Sequence, residues 1–340
     1  MQKKNINYFN LMRCICMIGI VFDHFNALYL QYNVKFHFLN RISLYGNLGW
    51  GGVGTAIFFM ISGAVLFYNY EDKSIDLKQF YFNRFIKMCP ILYITHLIFF
   101  CIASIIKDNL MYSITIKSIF NLIIGKALVG EWFTTVILFC YMIFPILKFL
   151  YKRYKILTTI ILFTIFIVNQ ELLLFVCGNK WASYTNGIFE FWLGIILVNC
   201  HRKLKKKYIP VFILILIFMP YISLNSIFDL NGTWFYIPTI ITSILIFILI
   251  SYTNVNNVFV NNVSKYSYCI YMINHQIMYM IFPLFIVHIK TQLQCFLSFV
   301  LLSILIYLLS EKFYNINIKL IKLIKSLIGK NEKIIQNNES

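Results

Sequence analysis

The chain has 340 residues, of which 60% are hydrophobic, 18% aromatic and only 12% charged. A mean hydropathy of +0.76 excludes a soluble domain with one large core and indicates an all-α integral membrane protein. The formal net charge of +18 would suggest a nucleic-acid ligand in a soluble protein, but no basic domain stands apart from the apolar segments, so we expect no nucleic acid. Most of the nine cysteines lie within apolar segments, so we expect no disulfide framework and no metal.

Apolar windows of about twenty residues predict a bundle of about ten transmembrane helices. The windows cover 8–30, 48–68, 85–106, 131–150, 155–176, 186–200, 208–224, 234–252, 266–289 and 293–314. The segment 110–130 is too polar for a further span, and we predict either a short surface helix or a partly re-entrant one. An even number of spans would place both termini on the same side of the membrane.

Loop charges predict that the N- and C-termini are cytoplasmic. In that orientation 22 of the 30 Lys and Arg residues fall on the inner side, while Arg13 lies inside a span. The seven on outer loops are Lys35, Arg41, Lys107, Lys117, Lys126, Lys180 and Lys290. This asymmetry follows the positive-inside rule and favours both the orientation and the ten-span count.

Two regions of unequal size are predicted along the chain. We expect one membrane domain over 1–314 and a basic amphipathic cytoplasmic tail over 315–340. Lys319, Lys322 and Lys325 alternate with isoleucines at a spacing typical of a helix on the inner membrane surface. A solvated tail that stops transfer through the membrane is the alternative interpretation.

Arg13 and His24 are the first candidates for a functional site. They are eleven residues apart, and at about 100° per residue both side chains share one helix face, roughly 16 Å apart along its axis. A guanidinium facing lipid costs at least ~3 kcal/mol, so intramembrane charges usually face a protein interior or a wet cavity. The pair therefore predicts a polar path, with Arg13 nearer the cytoplasm and His24 nearer the outside.

The second predicted span carries dense glycine followed by the run FFMISG, which ends at Gly63. Glycine allows close approach of two backbones, and Ser62 can hydrogen-bond to a neighbouring helix in a low-dielectric interior. Such features are often only packing devices. Beside the first span we expect them to shape a cavity and not to supply chemistry.

Basic residues also mark the cytoplasmic start of the third predicted span. Arg84 and Lys87 are three residues apart on one helix face, and Pro90 follows them. A proline in the first turns of a helix opens polar space by disturbing the main-chain bonds, and two cations beside that space could hold phosphates. The alternative is that both cations only anchor the helix at the inner surface.

Carboxylates at membrane depth are the next candidates. Glu190 lies inside the sixth predicted span and needs a partner, which an outer cavity containing His24 would supply. Glu131 and Trp132 open the fourth span at the outer surface, where Glu131 could equally be solvated. Asp23 precedes His24 but points about 100° away, so either it bonds elsewhere or the helix unwinds there.

Asn274 and His275 are candidates for lining the interior of the ninth span. A single histidine in an apolar span is more often a packed, hydrogen-bonded structural residue, which is the alternative for His275. We include both as residues that support a cavity.

Five motifs together resemble the acyltransferase-3 family of ten-span membrane acyltransferases. In chain order they are NYFNLMRCICMIGIVFDHF, with its Arg-x10-His spacing, GWGGVGTAIFFMISG, FNRFIKMCPILY, EWFTTVILFCYMIFP and SKYSYCIYMINH. The first two are fairly specific. The chain departs from relatives at Asn83, where adjacent arginines are frequent, and at Thr55 and Ala56, where many relatives have a GVD-type sequence.

This resemblance implies that acyl-CoA, expected to be acetyl-CoA, donates an acyl group from the cytoplasm to a hydroxyl of a cell-surface or lipid-linked polysaccharide. It implies that Arg13 and His24 are essential and that Arg84 meets the donor. A histidine near neutrality is suited to act as general base, so we assign that role to His24. Arg13 would bind the donor or stabilise charge on the acyl carbonyl, while Arg84 and Lys87 would hold the CoA phosphates.

We expect a multi-pass protein of a bacterial plasma membrane, in contact with lipids. The sequence leaves open whether the chain forms a homo-oligomer, whether transfer is direct or passes through an acyl-enzyme, and which glycan accepts the acyl group. A secondary transporter or polysaccharide flippase is the alternative function. Transporters commonly show related halves, whereas here the polar groups cluster in the first four spans.

Overall fold

The computed structural model describes residues 7–31, 49–106, 132–168, 182–200, 206–218, 233–286 and 289–338, which form α-helices, one short 3-10 helix (Lys206–Tyr208) and no strand. The α-helices are α1 (Asn7–Gln31), α2 (Gly49–Tyr70), α3 (Leu77–Ile106), α4 (Trp132–Val168), α5 (Ala182–Cys200), α6 (Ile209–Phe218), α7 (Thr233–Ser251), α8 (Val258–Phe285) and α9 (Gln292–Asn338). The prediction of an all-α membrane protein is confirmed.

Four helices in the described part of the chain are long and apolar enough to cross a membrane. They cover Asn7–Leu28, Gly49–Tyr70, Trp132–Val168 and Gln292–Leu327. The described parts of the windows 131–150 and 155–176 both fall on α4, whose backbone leaves helical geometry at Tyr154 (φ −135°, ψ 36°). The ten-span count and the orientation of the termini stay predictions, and 110–130 lies outside the described residues.

Amide side chains fasten the start of α1 to the start of α8. Asn10 Nδ2 donates to Asn261 Oδ1 at 3.0 Å, and Ser264 Oγ donates to Asn10 Oδ1 at 3.1 Å. Farther along both helices, His24 Nδ1 lies 2.6 Å from Asn274 Oδ1. The N-terminal residues of α1 contact N-terminal residues of α8, and residues farther along each helix also contact each other, so α1 and α8 run parallel.

Glycine allows α2 to pack antiparallel against α1. A Cβ at Gly54 would lie 2.9 Å from the carbonyl oxygen of Cys16, and the nearest neighbour of Gly19 is the Trp50 side chain. Gly51 faces Asp23 in the C-terminal half of α1. The chain therefore returns along α1 at close backbone separation, as small residues permit in membrane helices.

Two glycines, Gly63 and Gly194, allow equally close contact between α2 and α5. A Cβ at Gly63 would collide with the carbonyl of Phe191, and a Cβ at Gly194 would collide with the backbone of Met60. Both obstacles are main-chain atoms, which cannot move aside as a flexible side chain does. Gly63 ends the FFMISG run, so this part of the motif serves helix packing.

The last helix continues through the predicted boundary at residue 314. α9 packs on α8, where Tyr266 Oη lies 3.4 Å from Glu311 Oε1. It also contacts α3. The predicted tail and the predicted membrane domain thus share one continuous helix.

Replacement of Gly194 by alanine is expected to destabilise the bundle. The added methyl has no space beside Met60, and overpacking of this kind typically costs about 1–3 kcal/mol. The midpoint temperature of detergent-solubilised protein should fall by several degrees. Gly19→Ala is the control, because the atom nearest to its added methyl, Trp50 Cβ at 3.3 Å, overlaps it far less than the Met60 backbone overlaps a methyl at Gly194. Equal stability of the two variants would contradict the packing role of Gly194.

Candidate active site

A cavity of about 240 Å³ lies between α1, α2, α3, α4 and α8. Arg13, Met17 and Ile20 line it from α1 at spacings of four and three residues, so one face of that helix forms the wall. Four further residues along the same face lead to His24. The cavity therefore lies beside the stripe of α1 that carries the predicted Arg–His pair.

Three cations of the predicted site, Arg13, Arg84 and Lys87, gather at the Arg13 end of this cavity. Arg13 and Lys87 line it, while the Arg84 guanidinium carbon lies 5.9 Å from the ring centroid of Tyr141, another lining residue. The same carbon lies 5.5 Å from the ring centroid of Phe80. The sequence prediction that these basic residues converge agrees with this geometry.

None of the three cations forms an ion pair with a carboxylate in the described parts of the chain. Arg84 Nε is buried without a hydrogen-bond partner. Arg84 lies within electrostatic reach of Lys87, and Tyr141 within reach of both Arg13 and Arg84. Clustered positive charge with no anion to balance it is suited to bind an anionic ligand.

The serine and threonine hydroxyls that line the cavity are already hydrogen-bonded to the backbone. Ser62 Oγ donates to Phe58 O at 2.8 Å and also bonds the Tyr141 side chain. Thr55 and Ser267 likewise donate to main-chain carbonyls, at 2.6 and 2.9 Å. A nucleophilic hydroxyl needs an adjacent base to take its proton, and these protons point at carbonyls instead. Ser62 thus supports Tyr141.

His24 is one helical turn beyond Ile20 on α1, where it forms a polar contact with α8. Its Nδ1 is 2.6 Å from Asn274 Oδ1, and its ring centroid is 5.2 Å from that of His275. Asn274 is fully buried, and its Nδ2 donates to the carbonyls of Ile270 and Tyr271. Of the predicted residues, the structure therefore brings together His24, Asn274 and His275.

Asp23 is used for helix capping and not for orienting His24. Its carboxylate accepts a hydrogen bond from the main-chain N–H of Gly51, in the first turn of α2. N–H groups there have no acceptor within their own helix, and the positive end of the helix dipole favours an anion. Asp23 therefore bonds elsewhere, as one of the two sequence alternatives stated, and α1 stays helical.

In the described part of the chain no hydrogen bond or ring contact joins Glu190 or Trp132 to the cluster of His24, Asn274 and His275. Glu190 is 2% exposed, its Oε1 has no hydrogen-bond partner, and its electrostatic neighbours are Cys140 and Tyr236. Trp132 is 38% exposed, with its ring 6.2 Å from that of Phe59. Glu131 lies outside the described residues. A catalytic role for Glu190 stays a prediction.

The sequence analysis did not identify two residues of the site, Tyr141 and Lys325. Tyr141 follows Phe133 and Ile137 at four-residue spacing, so the sequence predicts that the three share one face of α4. The spacing does not show that this face lies beside the cations. Lys325, which we assigned to the tail, lies within electrostatic reach of Lys87. Its position depends on the contact between α9 and α3, which sequence periodicity does not reveal.

A comparison with known protein families identifies the family to which the chain belongs. A family model described as an acyltransferase domain matches residues 6–311. The chain belongs to the acyltransferase-3 family. No curated protein and no solved structure matches it. As a member of this family the protein is a membrane acyltransferase, and the matched residues include every candidate named above except Lys325.

Variants of Asp23 test the capping role. Asp23→Ala removes the acceptor for the Gly51 N–H and should cost about 1 kcal/mol of stability, as loss of an N-cap does. Asp23→Asn retains an oxygen acceptor and should stay close to wild type in thermal stability and in acyl transfer. A stably folded but inactive Asp23→Asn protein would contradict a purely structural role and indicate that the charge acts on His24.

Proposed function

We propose that this protein is a membrane O-acyltransferase that moves an acyl group, expected to be acetyl, from cytoplasmic acetyl-CoA to a hydroxyl of a cell-surface or lipid-linked polysaccharide. The observation that carries the proposal is the cluster of unpaired cations at a cavity whose α1 wall leads to His24. Membership of the family supports acyl transfer as the reaction.

The proposed orientation has about ten spans, cytoplasmic termini and a bacterial plasma membrane as its location. The charge asymmetry of the loops supports it, because most basic residues then lie inside. The parallel course of α1 and α8 also agrees, since the first and ninth of ten spans cross in the same direction. In this orientation the cations face the cytoplasm, where the donor is found.

Donor phosphates would bind the inner cation cluster. Arg84 and Lys87 supply the charge at the mouth, with Lys325 within reach of Lys87. The cavity of about 240 Å³ is smaller than sites for drug-sized ligands, which begin near 300 Å³. The acyl-bearing arm would therefore enter, while the nucleotide would stay at the mouth among the cations.

Arg13 is assigned to donor binding and not to the reacting carbonyl. Eleven residues of unbroken helix place it about 16 Å from His24 along the axis of α1. A base must lie within hydrogen-bond reach of the proton it removes, so the attacked carbonyl lies near His24. At that distance the guanidinium of Arg13 would instead hold the donor partway along its arm.

The chemical step needs one base and a thioester. His24 takes the proton of the acceptor hydroxyl while its oxygen forms a bond to the acyl carbon. The carbon–sulfur bond breaks, and the CoA thiolate leaves with the electron pair and finally receives the proton. Since the serine and threonine hydroxyls of the cavity donate to main-chain carbonyls, we propose direct transfer with no acyl-enzyme.

Acetyl transfer should depend on both Arg13 and His24. Membranes with wild-type protein and labelled acetyl-CoA should acetylate surface glycan, while His24→Ala should lose at least a hundredfold in rate, as loss of a general base does. Arg13→Ala should be similarly impaired through donor binding. The measurement is label in the isolated glycan at matched protein amounts.

Lys290→Ala, a charge change outside the cavity, is the matched control and should leave transfer unchanged. Transfer that survives both substitutions would contradict the proposal. Label retained on the protein itself would contradict direct transfer. Movement of glycan or donor across the membrane without covalent modification would identify a transporter instead.

Removal of the inner cations should weaken donor binding selectively. Charge-assisted hydrogen bonds are worth about 1.5–3 kcal/mol each, so Arg84→Ala combined with Lys87→Ala should raise KM for acetyl-CoA at least tenfold. The control is Lys73→Ala combined with Lys78→Ala, which removes the same charge from exposed inner positions. An unchanged KM in the first variant, or an equal rise in both, would refute the phosphate-binding role.

A further inference from the structure

The side-chain amide of Asn274 has only one favourable orientation. Its Nδ2 lies 2.9 Å from the carbonyl oxygen of Ile270 and 2.8 Å from that of Tyr271. With the amide reversed, its oxygen would face two other oxygens with no hydrogen between them. The NH2 group therefore points at the two carbonyls, and Oδ1 points at His24.

This orientation determines which nitrogen of His24 carries the proton. Asn274 Oδ1 only accepts hydrogen bonds, and it lies 2.6 Å from His24 Nδ1. In neutral imidazole one nitrogen is a donor and the other an acceptor, so Nδ1 must be the donor. The lone pair then lies on Nε2, to which no residue in the described part of the chain is hydrogen-bonded.

We propose that Asn274 is a positioning residue that holds neutral His24 in the Nδ1–H form, so that Nε2 is the catalytic base. The proposal rests on the acyltransferase function proposed above. The acceptor's proton passes to Nε2 while the Nδ1 proton stays on its bond to Asn274. When both ring nitrogens are protonated, that bond also holds the imidazolium. The neighbouring ring of His275, 5.2 Å away, packs at an angle of 70°.

The rigidity of Asn274 explains why an amide suits this position. Asn274 is fully buried, and both of its amide hydrogens are engaged with its own helix. It cannot rotate without losing both of these hydrogen bonds. The backbone of α8 thereby fixes Asn274, and Asn274 fixes the tautomer of His24. Catalytic and metal-binding histidines usually have such an orienting partner.

The decisive measurement is the 15N spectrum of the full chain, labelled on its six histidines and held in detergent or nanodiscs. His24→Gln assigns the His24 signals. In the wild type at a pH where the ring is neutral, Nδ1 should appear protonated and Nε2 unprotonated. In Asn274→Leu, which removes the acceptor at similar volume, the Nε2–H form should become populated.

Activity should follow the tautomer. Asn274→Leu should lower kcat for acetyl transfer about tenfold to a hundredfold with little change in KM for acetyl-CoA. At this fully buried position the carboxyl of Asn274→Asp should be neutral, with its O–H donating to a carbonyl of α8 and its other oxygen accepting from Nδ1–H, so this variant should retain the Nδ1–H signal and more activity than the leucine variant. Asn261→Leu removes another amide contact between α1 and α8, so it controls for helix packing and should leave the His24 signals unchanged.

A wild-type His24 that carries its proton on Nε2 would overturn the proposal, as would an Asn274→Leu variant with unaltered His24 signals. The spectrum needs no catalysis, so its outcome is independent of the acyltransferase assignment. If glycan acetylation fails altogether while the spectrum is as expected, the proposed function is wrong and the geometry of His24 stands.

Discussion

The unbroken helix α1 is the constraint on which the rest of the site depends. It fixes Arg13 and His24 on one face at a separation that only the helical rise determines. No rotation of side chains brings the two groups to the same atom. A ligand that uses both must be long and must lie along the helix. In the proposed reaction the two residues would therefore act at different parts of an extended ligand.

Neighbouring helices hold that face of α1 in register. Amides near Asn10 fix the start of α1 against α8, Asn274 contacts it again at His24, about 21 Å further along the helix, and glycines bring α2 close from the other side. Asp23 adds a cap to the N-terminus of α2. Because each of these contacts is short and directional, the cavity between the helices has a defined shape without a large polar core.

The sequence predicts the helices and the shared face of Arg13 and His24 on α1 because both depend on local periodicity. Residue spacing alone predicts that Arg13 and His24 share one helix face, and that Arg84 and Lys87 share another. It did not find that Glu190 faces Cys140 and Tyr236, because that depends on the rotation of α5 about its axis. The same limit concealed Lys325, which reaches Lys87 only through packing of α9 on α3.

Positive charge at the cavity is stabilised in the free protein mainly by aromatic rings. Arg84 lies beside Phe80 and Tyr141, and such contacts offset only part of the cost of removing a guanidinium from water. A carboxylate partner would stabilise the site further, but it would also compete with an anionic ligand. Rings supply stabilisation without occupying the hydrogen-bond donors. The buried Nε of Arg84 is therefore left open for the phosphate that the proposed donor would bring.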